Sequence, residues 1–104
     1  MDQGINKSIN DYLASVAENN HKLIKAYLFG SYARNAQHPG SDIDLALVLD
    51  DIEDNERFDI QVQLMVLASR FDLRIEPHPI SKMEFALNGP FISEIKRTGI
   101  EIQL

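Results

Sequence analysis

The chain has 104 residues, 44% apolar and 25% charged, with a formal net charge of −6 and no cysteine. That length suits one domain, 1–104, whose core removes roughly 60–70% of the unfolded surface from water. The acidic balance argues against direct nucleic-acid binding, which needs a basic face, and the missing cysteines exclude disulfides, thiolate metal sites and a cysteine nucleophile.

No apolar run approaches the ~20 residues of a membrane span. Residues 1–10 are polar and lack the apolar core of a signal peptide. A cytoplasmic location is therefore expected. Ile5, Ile9, Tyr12, Leu13 and Val16 recur at helical spacing and predict an amphipathic helix over residues 5–19, ended by Asn19, Asn20 and His21. Residues 23–29 predict a strand that stops at Gly30. Residues 31–36 predict a short helix with Ser31 as its N-cap, and Pro39 with Gly40 marks a turn. Residues 43–49 are apolar almost throughout, as in a central strand covered on both faces.

Asp50, Asp51, Glu53 and Asp54 favour a helix N-terminus through its dipole. The pattern Phe58, Val62, Met65, Val66 and Ser69 then predicts a helix over 54–69, with Met65 and Leu13 packed on the central strand. Residues 71–76 alternate, with Phe71, Leu73 and Ile75 inward and Asp72, Arg74 and Glu76 outward, which predicts a half-buried strand. Pro77 and Pro79 should stop it or confine it to an edge. Ser81 and Glu84 read as a capping box for a short helix through Leu87. Pro90 opens a last helix, Gly99 ends it, and residues 100–104 form a short strand or tail.

Chemistry concentrates in one run: Gly30-Ser31, ten intervening residues, then Asp42-Ile43-Asp44. Glycine lets the backbone turn sharply and a ligand come close. Backbone amides there, and the Ser31 hydroxyl, can hold a phosphate. Asp42 and Asp44, at i and i+2 of a strand, point to one side. Like charges held so close require a cation or a raised pKa. Mg²⁺ takes carboxylates together with phosphate oxygens, so the run points to a nucleoside triphosphate. The plainer alternatives are a capped strand-to-helix turn and two solvated strand-end acids. A third carboxylate should come from Glu76 or Asp72; Glu76 is preferred, because it ends its strand beside inward-facing Ile75. Either could also serve as general base toward an attacking hydroxyl. Arg34, one turn past Ser31, could clamp a phosphate bidentately or be an ordinary surface arginine. His38 and His78 stand apart from any zinc-type spacing and read as non-ligands.

Together, Phe29-Gly30-Ser31-Tyr32-Ala33-Arg34 and Gly40-Ser41-Asp42-Ile43-Asp44-Leu45 resemble the signature of the DNA polymerase β-like nucleotidyltransferases, and in particular the minimal nucleotidyltransferases of bacteria and archaea. The resemblance implies an α+β fold, a small mixed β-sheet with helices packed against it. It implies that Gly30 and Ser31 hold the triphosphate of ATP, and that Asp42 and Asp44 bind two Mg²⁺ with a third acid completing the site. The family places apolar residues after that acid, whereas Glu76 is followed by Pro77-His78-Pro79. Larger members carry a helical acceptor-binding domain that this chain lacks, so a partner is expected to supply the acceptor. Minimal nucleotidyltransferases often act beside a helical HEPN-type toxin, as antitoxins that transfer AMP to its tyrosine. The implied function is AMP transfer from ATP to a hydroxyl on such a partner. The alternatives are a noncatalytic antitoxin that masks its partner and a small-molecule nucleotidyltransferase.

Overall fold

The computed structural model describes residues 3–19, 22–50 and 52–104. Asn20, His21 and Asp51, invoked above for a helix end and an acidic cluster, lie outside the described residues. Helix α1, Gln3–Glu18, buries the five residues its periodicity selects: Ile5, Ile9, Tyr12, Leu13 and Val16. Strand β1 is Leu23–Phe29 and β2 is Ile43–Leu49. A 3₁₀ turn, Asp54–Glu56, leads into α2, Arg57–Ala68. Strand β3, Ile75–Ser81, is followed by α3, Lys82–Leu87, α4, Pro90–Thr98, and β4, Ile100–Ile102.

The strands form one mixed sheet in the order β3-β2-β1-β4. β1 runs antiparallel to β2 and β4, while β3 runs parallel to β2. Both faces are covered, as the apolar run of β2 requires. Ile43, Leu45, Leu47 and Leu49 point into the larger core with residues of α1 and α2. Ala46 points the other way, into a smaller cluster with Tyr27, Ile80, Ile92 and Ile95, which α4 closes. Tyr12, fully buried, donates its hydroxyl to the Leu64 carbonyl at 2.9 Å and ties α1 to α2.

Leu47 has no exposed surface and lies at the centre of this packing. Leu47→Ala should therefore cost roughly 2–5 kcal/mol of stability. Denaturant unfolding checks it, and a loss under about 1 kcal/mol would contradict a fully buried site.

Three local expectations are corrected. Residues 31–36 are hydrogen-bonded turns, not a helix. The Arg34 and Ala36 amides donate to the Gly30 and Ser31 carbonyls, and Asn35 has φ +56°. A left-handed residue six positions after the strand ends the segment before a helical turn can propagate.

The buried face of α2 is Ile60, Leu64 and Ala68, whereas Phe58, Val62, Met65 and Val66 are exposed, Phe58 by 76%. This helix is apolar nearly all round, so periodicity alone does not choose its inner stripe. The choice is made by Arg57 and Gln61, which share one side at i and i+4 and reach the outer edge of β3.

Residues 71–74 form a turn rather than the start of a strand, and Leu73 is 86% exposed instead of inward. Asp72 accepts from the Arg74 amide at 2.9 Å and from its guanidinium at 2.7 Å, which closes the turn.

Of the two outcomes expected for Pro77 and Pro79, confinement to an edge is the one found: β3 runs through both and is an edge strand. Proline has no N–H to leave unpaired on that edge. The remaining acceptors are met by side chains of α2: Gln61 Nε2 donates to the Pro77 carbonyl at 2.5 Å, and Arg57 Nη1 to that of Pro79 at 2.9 Å. The edge is thereby closed to further strands.

Ser81 and Glu84 do form the capping box, with the Glu84 amide on Ser81 Oγ at 3.0 Å and the Ser81 amide on Glu84 Oε1 at 3.2 Å. Partial burial raises the Glu84 carboxyl, but Arg57 and Ser81 outweigh it and hold the group below its ordinary range. No helix among the described residues is long and apolar enough to cross a membrane.

Candidate active site

Sheet register assembles the site around Asp44. Across the antiparallel pair Asp44 lies opposite Phe29, the last residue before Gly30; across the parallel pair it lies opposite Glu76. One residue of each neighbouring strand therefore flanks Asp44 on the face that carries α4. Asp42 sits just ahead of β2, held there by the loop before it. The His38 amide donates to Ser41 Oγ, and the Ser41 amide returns to the His38 carbonyl, both at 2.9 Å. Ser41 is buried, and the Ile43 amide is fixed by the Arg74 carbonyl at 2.8 Å.

Gly30 has φ +74°. A Cβ at this position would stand 2.4 Å from Asp44 Oδ2. Both the backbone conformation and the close approach of the carboxylate require glycine. The glycine of the phosphate-type turn and the acid of the second strand are thus one contact.

Glu76 joins the same group. Burial, then the hydrogen bond and charge of Asp42, push its carboxyl above the ordinary range; Asp44 adds to this and His78 opposes it. Three carboxylates brought together at one end of β2 favour a cation. The residues present therefore fit a divalent ion: Asp44, Glu76 and His78 each offer a ligand atom, all within 4.8 Å of one another. Asp72 is elsewhere in its chemistry. Arg74 holds its carboxyl below the usual range against the effect of burial.

Arg34 is exposed. It lines a cavity of about 110 Å³ with Phe29, Gly30, Phe91, Glu94, Ile95 and Thr98. It thus borders Gly30 from the side of α4.

The family model of polymerase beta nucleotidyltransferases matches residues 11–103. The chain belongs to the polymerase β-type nucleotidyltransferase family. No curated protein matches the chain in sequence. Among solved structures, a candidate nucleotidyltransferase from Sulfolobus solfataricus is similar over 98% of this chain and 86% of its own, at 23% identity and a TM-score of 0.55. A chain of the toxin–antitoxin MntA–HpeT, in a variant form, is 25% identical over 90% of this chain and 70% of its own, with a TM-score of 0.58. A toxin–antitoxin structure with AMP-PNP is 24% identical over 91% and 69%, with a TM-score of 0.56. These likenesses agree with the mixed sheet and helices of this nucleotidyltransferase.

One member of the cluster escaped sequence reasoning. His78 reads as a lone histidine because no partner lies at metal-ligand spacing in the chain. Its partner comes through the parallel pairing of β3 with β2. His78 Nε2 lies 3.2 Å from Asp44 Oδ1. The available signal was positional: His78 is two residues after Glu76, hence on the same face of any strand they share. His38, by contrast, is exposed in the loop.

Proposed function

We propose that this nucleotidyltransferase moves AMP from ATP to a hydroxyl on a protein partner. The observation that carries the reading is the meeting of Gly30, Asp42, Asp44 and Glu76 at one end of β2. Asp42, Asp44 and Glu76 would hold two Mg²⁺, or a related divalent pair. Such ions would neutralise the triphosphate and lower the pKa of the attacking hydroxyl.

The chain's own residues have the following roles. The turn amides after Gly30 and the Ser31 hydroxyl bind phosphate oxygens. Asp44, backed by the Gly30 Cα, is fixed in orientation. Glu76, opposite Asp44 across the parallel pair, is placed to act as base toward the acceptor hydroxyl. Arg34 contacts the outgoing phosphates from the α4 side. Phe91 and Phe29, packed edge to face with ring centroids 5.5 Å apart, border the site on that side.

The likeness to the MntA–HpeT pair supports an antitoxin whose acceptor is its own toxin, expected to be of the HEPN type. The test is incubation of the wild-type protein with labelled ATP, Mg²⁺ and the candidate toxin. Label appearing on a toxin hydroxyl is the expected result. A toxin that is bound and silenced without receiving label would replace transfer by masking.

A further inference from the structure

We propose that His78 is a ligand of the cation held by Asp44 and Glu76, and that its imidazole makes this site prefer a transition-metal dication to Mg²⁺. The proposal rests on the reading of the carboxylates as a cation site. It departs from the Mg²⁺ that the sequence pattern suggests.

Placement is the first argument. Parallel register sets Glu76 beside Asp44 and His78 beside Ala46. A small residue opposite the histidine lets the ring lean toward Asp44, where Nε2 reaches Oδ1 at 3.2 Å. The ring is held from its other side by aromatic neighbours. Phe29 meets it edge to face with centroids 5.0 Å apart, and Phe91 lies 6.5 Å away. A histidine steered in this way keeps one nitrogen aimed at the acids.

Spacing is the second. Ligand atoms of Asp44, Glu76 and His78 lie within 4.8 Å of one another. Two ligands on opposite sides of one ion, each at ~2.0–2.2 Å, are separated by a little over 4 Å. The three atoms therefore need only small rotations to share an ion.

Donor chemistry is the third. Mg²⁺ takes oxygen ligands and keeps several waters. Imidazole nitrogen suits transition metals instead, and mixed carboxylate–imidazole sets suit them better than an all-oxygen site does. Replacing one oxygen donor by nitrogen at this corner should move preference away from Mg²⁺; Mn²⁺, which shares the oxygen ligands of Mg²⁺ and also binds imidazole, is the mildest transition-metal probe of that shift.

The probes are Mn²⁺ alone and Mg²⁺ alone, each titrated into the wild-type protein and into His78→Ala, by calorimetry and by loss of the free Mn²⁺ resonance signal. The wild type should bind Mn²⁺ more tightly than Mg²⁺. His78→Ala should weaken Mn²⁺ roughly 10- to 100-fold, by analogy with losses at metal-site histidine supports, with Mg²⁺ binding unchanged. In the wild type, bound Mn²⁺ should also show magnetic coupling to an imidazole nitrogen, a readout that does not depend on the variant folding. Mn²⁺ affinity that is unchanged or increased in His78→Ala, or no nitrogen coupling, would overturn the proposal: the histidine would then only occupy Asp44 until a cation displaces it. If the wild type binds neither ion, the carboxylate reading itself fails.

Discussion

Glu76→Gln is expected to lower AMP transfer by roughly 10²- to 10⁴-fold, the span of a lost general base. Glutamine keeps the shape and removes the proton-accepting charge. Glu76 is singled out because parallel pairing places it opposite Asp44. ATP binding should fall much less than transfer. Asp72→Asn should leave transfer nearly intact, since Asp72 closes a turn onto Arg74 instead of joining the carboxylates. Its cost should appear in stability, through the loosened turn ahead of β3. Transfer of labelled AMP to the cognate partner, measured for both variants, decides the matter. A dead Asp72→Asn beside an active Glu76→Gln would show that the third acid has been wrongly chosen.

Gly30→Ala should be nearly as damaging, for a geometric reason. The new methyl would stand 2.4 Å from Asp44 Oδ2, well inside contact distance. The backbone also carries φ +74°, where a Cβ is strained by ~1–3 kcal/mol. Relief must come from rotation of Asp44 or a shift of the turn. A displacement of about 1 Å at a reacting centre can cost on the order of 10²-fold in rate, and that loss of transfer is expected here. Gly40→Ala supplies the control. Gly40 has φ +86° but nothing within 4 Å of a built Cβ, so it bears the strain without the clash. Its variant should lose stability and keep transfer. Equal loss of transfer in both variants would show that backbone strain, not the contact with Asp44, explains the Gly30 effect.

Much of this architecture was legible in the chain because local patterns and tertiary demands agree. The five buried residues of α1, the buried run of β2, the Ser81–Glu84 capping box and the bounds Pro90 to Gly99 each follow from spacing or from one well-understood cap. The readings that failed lie where two local patterns compete. In α2, eight of the twelve residues are apolar, so more than one face looks apolar. The sheet edge chose the face, through Arg57 and Gln61. In 71–76 the alternation is real, but Asp72 folds back on Arg74 and delays the strand to Ile75. The prolines then sit at edge positions where their missing N–H is harmless.

The site divides in the same way. Gly30, Asp42 and Asp44 are close in sequence and their relation could be read from spacing. Glu76 and His78 reach Asp44 only through strand pairing across more than thirty residues. No local pattern encodes that register. It follows from burying Ile43 and Ile75 on one face, which leaves Asp44, Glu76 and His78 on the other.

The Gly30 turn and the paired aspartates of β2 should bind a nucleoside triphosphate together with a divalent cation. Calorimetric titration of ATP with Mg²⁺, and with Mn²⁺, into the wild type and into Asp42→Asn combined with Asp44→Asn measures it directly. The wild type should bind nucleotide only when the cation is present. The double variant should lose that cation-dependent binding while unfolding at the same or slightly higher denaturant concentration, because a like-charge repulsion is removed. Unchanged cation-dependent affinity in the correctly folded double variant would contradict the claim.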